Sequence, residues 1–129
     1  MQDHLIFIYN ADAGFVNMAY DWLHKIIRPK TYPCSLCALT YGHFGEKKEW
    51  KEFVSQLDFT AEFLHKDEFE KKYPFEKVEL PCILMKQGDK VSSFLAAKEL
   101  NNLTSLNGLM SNIVEKRKYY TRDGKNKTI

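Results

Sequence analysis

The sequence predicts an α/β architecture: a four-stranded mixed sheet with flanking helices and an inserted helical hairpin. Three observations carry this. Leu5-Ile6-Phe7-Ile8-Tyr9 is a continuous apolar run of the kind that forms a central strand buried on both faces. Directly after it, Phe15, Met18, Ala19, Trp22, Leu23 and Ile26 recur at helical spacing. Further on, Gln87-Gly88-Asp89 separates two apolar segments, 80–85 and 91–95, which is the pattern of an antiparallel hairpin.

Each element follows in order. Asn10-Ala11-Asp12-Ala13-Gly14 breaks the first strand and offers Asp12 as an N-cap for the first helix, which stops before Pro29. Residues 29–58 interrupt the alternation. Pro29 and Pro33 bracket an extended lead into Cys34, and Gly42 and Gly45 mark turns. A short helix then carries Trp50, Phe53, Val54 and Leu57 on one side and Lys47, Lys48, Glu49, Lys51 and Glu52 opposite. This segment is expected to lie as a small helical hairpin over the main body.

Thr60 to Lys66 has strand character, and Asp67 with Glu70 predicts a capping box for a short helix ending at Pro74. Pro81 stands at the start of the next strand, where a missing N–H is tolerated. A final helix presents Leu106, Leu109, Met110, Ile113 and Val114 on one face. A strand–helix–strand unit followed by a hairpin and a helix implies one parallel pair within a mixed sheet.

The bulk properties narrow the function. A chain of 129 residues fits one domain, expected over residues 1–118, with a basic tail over 119–129. Net charge is only +2, so no global field steers the protein towards nucleic acid or membrane. The local excess of Lys116, Arg117, Lys118, Arg122, Lys125 and Lys127 reads as a solvated tail. The first residues lack the pattern of a secretory signal, and no apolar stretch approaches the roughly 20 residues that span a bilayer. The expectation is a cytoplasmic protein, where cysteines serve as thiols, metal ligands or transient redox groups rather than as structural disulfides.

The three cysteines, Cys34, Cys37 and Cys82, carry the chemistry. Cys34 and Cys37 form a Cys-x-x-Cys pair, and three readings of it stand side by side. Two thiols at this spacing can close a disulfide, with one resolving a mixed disulfide held by the other. They can chelate zinc, with His43 in the same loop as the third ligand and His24 or Cys82 as further candidates. Or all three cysteines pack as small hydrophobes. No cofactor is expected, zinc being the alternative. Asp12, Gly14 and Cys82 are candidate binding residues: Asp12 as cap or base, Gly14 as a source of backbone N–H groups for a small anion, and Cys82 because it follows the hairpin proline.

A first strand ending at Tyr9-Asn10, a helix after it and a proline opening the hairpin resemble the thioredoxin fold. That resemblance implies a cis Leu80–Pro81 bond beside a redox site, with Pro81 as a site residue. Tyr9 and Asp12, together with Gly88-Asp89-Lys90-Val91 and Ser92-Ser93-Phe94-Leu95-Ala96-Ala97, are similar to the DCC family of thiol–disulfide oxidoreductases. Ala13 and Val16 stand where that family has its two cysteines. By that alignment the usual dithiol is absent from its usual place. One class of function is thiol–disulfide exchange with a thiol-bearing protein or a small thiol, carried by Cys34 and Cys37 instead. The other class of function is a non-catalytic binding module on the same scaffold, its insertion pinned by Cys34, Cys37 and His43 around zinc.

Overall fold

The computed structural model describes residues 3–10, 34–42 and 45–119. In chain order these form β1 (His4–Ile8), α1 (Ser35–Thr40), β2 (Tyr41–Gly42), β3 (Gly45–Glu46), α2 (Lys48–Ser55), β4 (Thr60–Leu64), α3 (Lys66–Lys72), β5 (Cys82–Gln87), β6 (Lys90–Leu95), α4 (Ala97–Asn101) and α5 (Leu106–Arg117). The helix read over residues 15–26 and the tail beyond residue 119 lie outside the described residues.

Four strands make one mixed sheet in the order β4-β1-β5-β6. β1 runs parallel to β4 and antiparallel to β5, and β5 and β6 form the expected hairpin. The apolar run explains the central place of β1: Leu5, Ile6, Phe7 and Ile8 have no exposed surface. The parallel pair is closed at both ends, by the Thr60 N–H donating to Asp3 O (3.0 Å) and the Tyr9 N–H donating to Leu64 O (2.9 Å). Gly88 closes the β5–β6 turn at φ 65, in the left-handed region that favours glycine.

Alternation along β1 and β5 divides the core in two. Leu5, Phe7, Tyr9, Ile83 and Met85 face a large cluster with Cys34, Leu36, Cys37, Trp50, Leu100, Leu109 and Ile113. Ile6, Ile8, Cys82 and Leu84 face a smaller cluster completed by Phe69 of α3. On the larger side Phe7 stacks on Phe63 (4.7 Å between centroids) and meets the edge of Trp50 at 5.6 Å.

Two expectations need correction. Of the segment read as a hairpin over 29–58, the described residues pack into the main core rather than merely over it. Leu36 and Trp50 are fully buried against β1, because its apolar residues supply one wall of the main core. Its two helices are joined by the short antiparallel ladder β2–β3, which two-residue strands leave unannounced in sequence. The cap of α3 sits two residues earlier than Asp67–Glu70. β4 ends at Leu64, so His65 is the boundary residue and its N–H donates to the Glu68 carboxylate (2.8 Å). After β6 comes the five-residue helix α4, with the Ala96 N–H donating to Glu99 (2.9 Å) and Glu99 paired to Lys116 of α5 (3.0 Å).

The buried indole and the exposed phenyl ring give opposite mutational expectations. Trp50→Ala should cost about 3–5 kcal/mol by opening a large cavity. Phe75→Ala, at a ring 92% exposed, should stay within roughly 0.5 kcal/mol. Urea unfolding of both variants measures the contrast.

Candidate functional site

β1 and β4 end at the same edge of the sheet, and β5 begins there, because Ile8 pairs with both Leu64 and Cys82. The carboxyl ends of parallel strands are where open α/β sheets place their ligands. Tyr9 and Asn10 leave β1 at this edge, and Pro81 precedes Cys82 on the neighbouring strand. The Leu80–Pro81 peptide bond is cis.

The Cys-x-x-Cys pair is delivered to this edge from 24 residues downstream. Cys34 is the boundary residue of α1, in an extended conformation, and its Sγ accepts the Cys37 N–H at 3.2 Å. The sulfur thus does what a Ser or Asp oxygen does in an ordinary N-cap. It accepts a second bond from the Asn10 N–H at 3.3 Å. The start of α1 is further held by Ser35, whose hydroxyl donates to Asn101 of α4 at 2.7 Å. Lower in α1, Thr40 turns its hydroxyl back onto Leu36 O at 2.8 Å.

All three cysteines are free thiols, and all are buried. Cys34 is 1% exposed, Cys82 2% and Cys37 8%. Burial alone pushes the Cys82 thiol up to about 12. Cys34 meets the same upward push from burial. There it is overcome by the hydrogen bond from the Cys37 thiol and by the backbone N–H bonds, and its pKa is lowered. A hydrogen bond to a charged group contributes roughly 1.5–3 kcal/mol, so two or three of them outweigh the desolvation of one thiolate. Cys37 goes the opposite way: its bond to Cys34 and its own burial hold its proton. The pair therefore carries one sulfur suited to be an anion beside one suited to be a proton donor.

Cys82 is not part of this site. Strand alternation sends it to the opposite face, among Ile6, Ile8, Phe69 and Leu84. Asp12, Gly14 and His43 lie outside the described residues. Among the described residues, no three His, Cys, Asp or Glu side chains are grouped to hold a metal ion.

Two contributors were not foreseen. Asn10 acts through its backbone, which no side-chain motif reveals. Tyr9 was read as the end of a strand and as one residue of the family resemblance, not as a site residue. It is 2% exposed, lies against Phe63, Tyr41 and His65 (centroids 6.4, 6.2 and 5.5 Å), and is held strongly in the neutral phenol form, by burial first and then by Tyr41, Cys37, Glu46 and Cys34. Its position at the carboxyl end of a central strand was the available signal. A separate surface cleft of about 340 Å³, lined by Phe53, Asn107, Met110, Ser111, Val114 and Glu115, contains none of the predicted site residues.

Comparison of the chain with family models, with characterised proteins and with solved structures returns no match. Among the described residues, no helix is long and apolar enough to cross a membrane.

The buried thiols set a pH response. Cys82 ionises near the ordinary 9.0 in the unfolded chain but holds its proton to about 12 in the fold. The unfolded state then binds fewer protons, so stability should fall as pH rises from about 9 towards about 12. Cys37 and Tyr9, both raised, act in the same sense. Cys34, being lowered, contributes stability that is present above the ordinary thiol range and lost as pH falls through its folded value. Denaturant midpoints across the alkaline range, for the wild type and for Cys82→Val with its flatter expected profile, check the sign.

Proposed function

We propose that this chain is a thioredoxin-like thiol–disulfide exchange protein, with Cys34 as the nucleophile and Cys37 as the resolving thiol. The observation that carries the reading is the Cys34 sulfur, which accepts both the Asn10 N–H and the Cys37 N–H on a single buried atom. The thiolate is the reactive form of cysteine, and its fraction at neutral pH rises as its pKa falls. The sheet order β4-β1-β5-β6, its parallel and antiparallel pairings, and the cis proline opening β5 support the fold side of the reading.

The exchange is balanced within the pair and its partner. The Cys34 thiolate attacks one sulfur of a partner disulfide, the partner's S–S bond breaks, and the leaving thiolate takes a proton from solvent. Cys37 then gives up its proton and attacks Cys34 Sγ, releasing the second partner thiol and leaving a Cys34–Cys37 disulfide. Two electrons pass from the dithiol to the partner, and every step runs in reverse when a partner dithiol meets the oxidised pair. The partner is a thiol-bearing protein or a small thiol.

Single substitutions separate the two roles. Cys37→Ser should accumulate a mixed disulfide between Cys34 and glutathione, seen as an added mass on the peptide carrying Cys34. Cys34→Ser should lower the exchange rate at least about 100-fold, while Cys82→Ala leaves it within about threefold. Retention of full exchange in Cys34→Ser would overturn the assignment.

A further inference from the structure

Resting on the exchange reading above, we propose that the site runs as an acceptor of electrons. Its Cys34–Cys37 disulfide oxidises substrate dithiols, because the surroundings of Cys34 Sγ are built for the reduced pair. What carries this is the placement of two backbone N–H donors from separate parts of the chain, Asn10 at 3.3 Å and Cys37 at 3.2 Å, on one sulfur that is almost wholly shielded from water.

The two redox forms use that surrounding differently. In the dithiol, the Cys34 sulfur is a strong acceptor for both N–H groups whenever it ionises, and Cys37 supplies a third donor through its S–H. In the disulfide, the Cys34 sulfur is neutral and a weak acceptor, and Cys37 has no proton to give. The two N–H groups then lose a charged partner at a place where water does not replace it, and a buried unpaired donor is costly. The competing effect is the nearness of the two thiols, which favours ring closure. That effect grows with the number of residues enclosed, and Cys34 to Cys37 encloses among the fewest a disulfide can. A dithiol stabilised in this way makes its disulfide the stronger oxidant.

The cycle balances in atoms and electrons. A substrate thiolate attacks Cys34 Sγ, the Cys34–Cys37 bond breaks, and the Cys37 sulfur takes up a proton. The second substrate thiolate attacks the substrate sulfur of the mixed disulfide, and Cys34 leaves as a thiolate into its N–H donors. The substrate becomes a disulfide and the protein a dithiol. Of the two substrate protons, one ends on Cys37 and one is released to solvent. A low-molecular-weight disulfide, such as oxidised glutathione, reoxidises the pair. A lower leaving-group pKa speeds departure, which fits Cys34 for the second step.

The test equilibrates the full chain with graded ratios of reduced to oxidised glutathione at neutral pH, natively and in concentrated urea. Acid quenching, alkylation and mass mapping of the Cys34–Cys37 peptide follow. The native pair should stay a dithiol in a buffer at least about tenfold more oxidising than the one that half-oxidises it in urea. By the same cycle, the oxidised protein should unfold at lower urea than the reduced protein. A native pair oxidised as readily as the unfolded one, or more readily, overturns the electron-acceptor role and leaves the exchange reading intact. Absence of any Cys34–Cys37 disulfide across the whole series overturns both.

Discussion

β1 is hydrogen-bonded along both edges and enclosed on both faces, and both core clusters are built on it. Its parallel partner β4 and antiparallel partner β5 meet it residue for residue, from His4 to Ile8. With Leu5 to Ile8 wholly inaccessible, a one-residue slip would exchange the residues of the two cores and strand Phe7 away from Phe63 and Trp50. The strand therefore has one register. Its carboxyl end consequently falls at a fixed point, and the backbone N–H of Asn10 emerges there as a donor that the sheet has not used.

The chemistry at that point comes from a contest between two terms of opposite sign. Cys34 and Cys82 are shielded from water to nearly the same degree, yet one thiol is lowered and the other raised. Cys82 shows what removal from water does when nothing compensates it. The difference at Cys34 is directional: two main-chain donors and a neighbouring thiol converge on it. Tyr9 adds a buried phenol held neutral beside Tyr41, and Cys34 is the only thiol of the three whose pKa the surroundings lower.

Much of this fold is legible from residue patterns, for physical reasons that differ by element. β1 declares itself because five apolar residues in a row have no solvated face. α2 does so because Trp50, Phe53 and Val54 recur on one side of a charged helix, and the β5–β6 turn because Gly88 sits where positive φ is required. The elements that were missed are short. β2 and β3 have two residues each, too few for any periodicity to repeat. The site was half legible. The Cys-x-x-Cys spacing named the two sulfurs, but the bond from Asn10 spans 24 residues of sequence and uses no side chain of Asn10. Placing Cys34 in a peripheral lobe followed from its distance along the chain. Its place in the core follows from the apolar company of Leu36, Leu39 and Trp50.

The tie between Ser35 and Asn101 joins positions 66 residues apart, across the β4–α3 unit and the hairpin. It fastens the residue beside Cys34 to a helix that begins only after the last strand of the sheet. Loosening α4 would therefore free the neighbour of the sulfur, so a segment late in the chain keeps a mechanical hold on the thiol's surroundings.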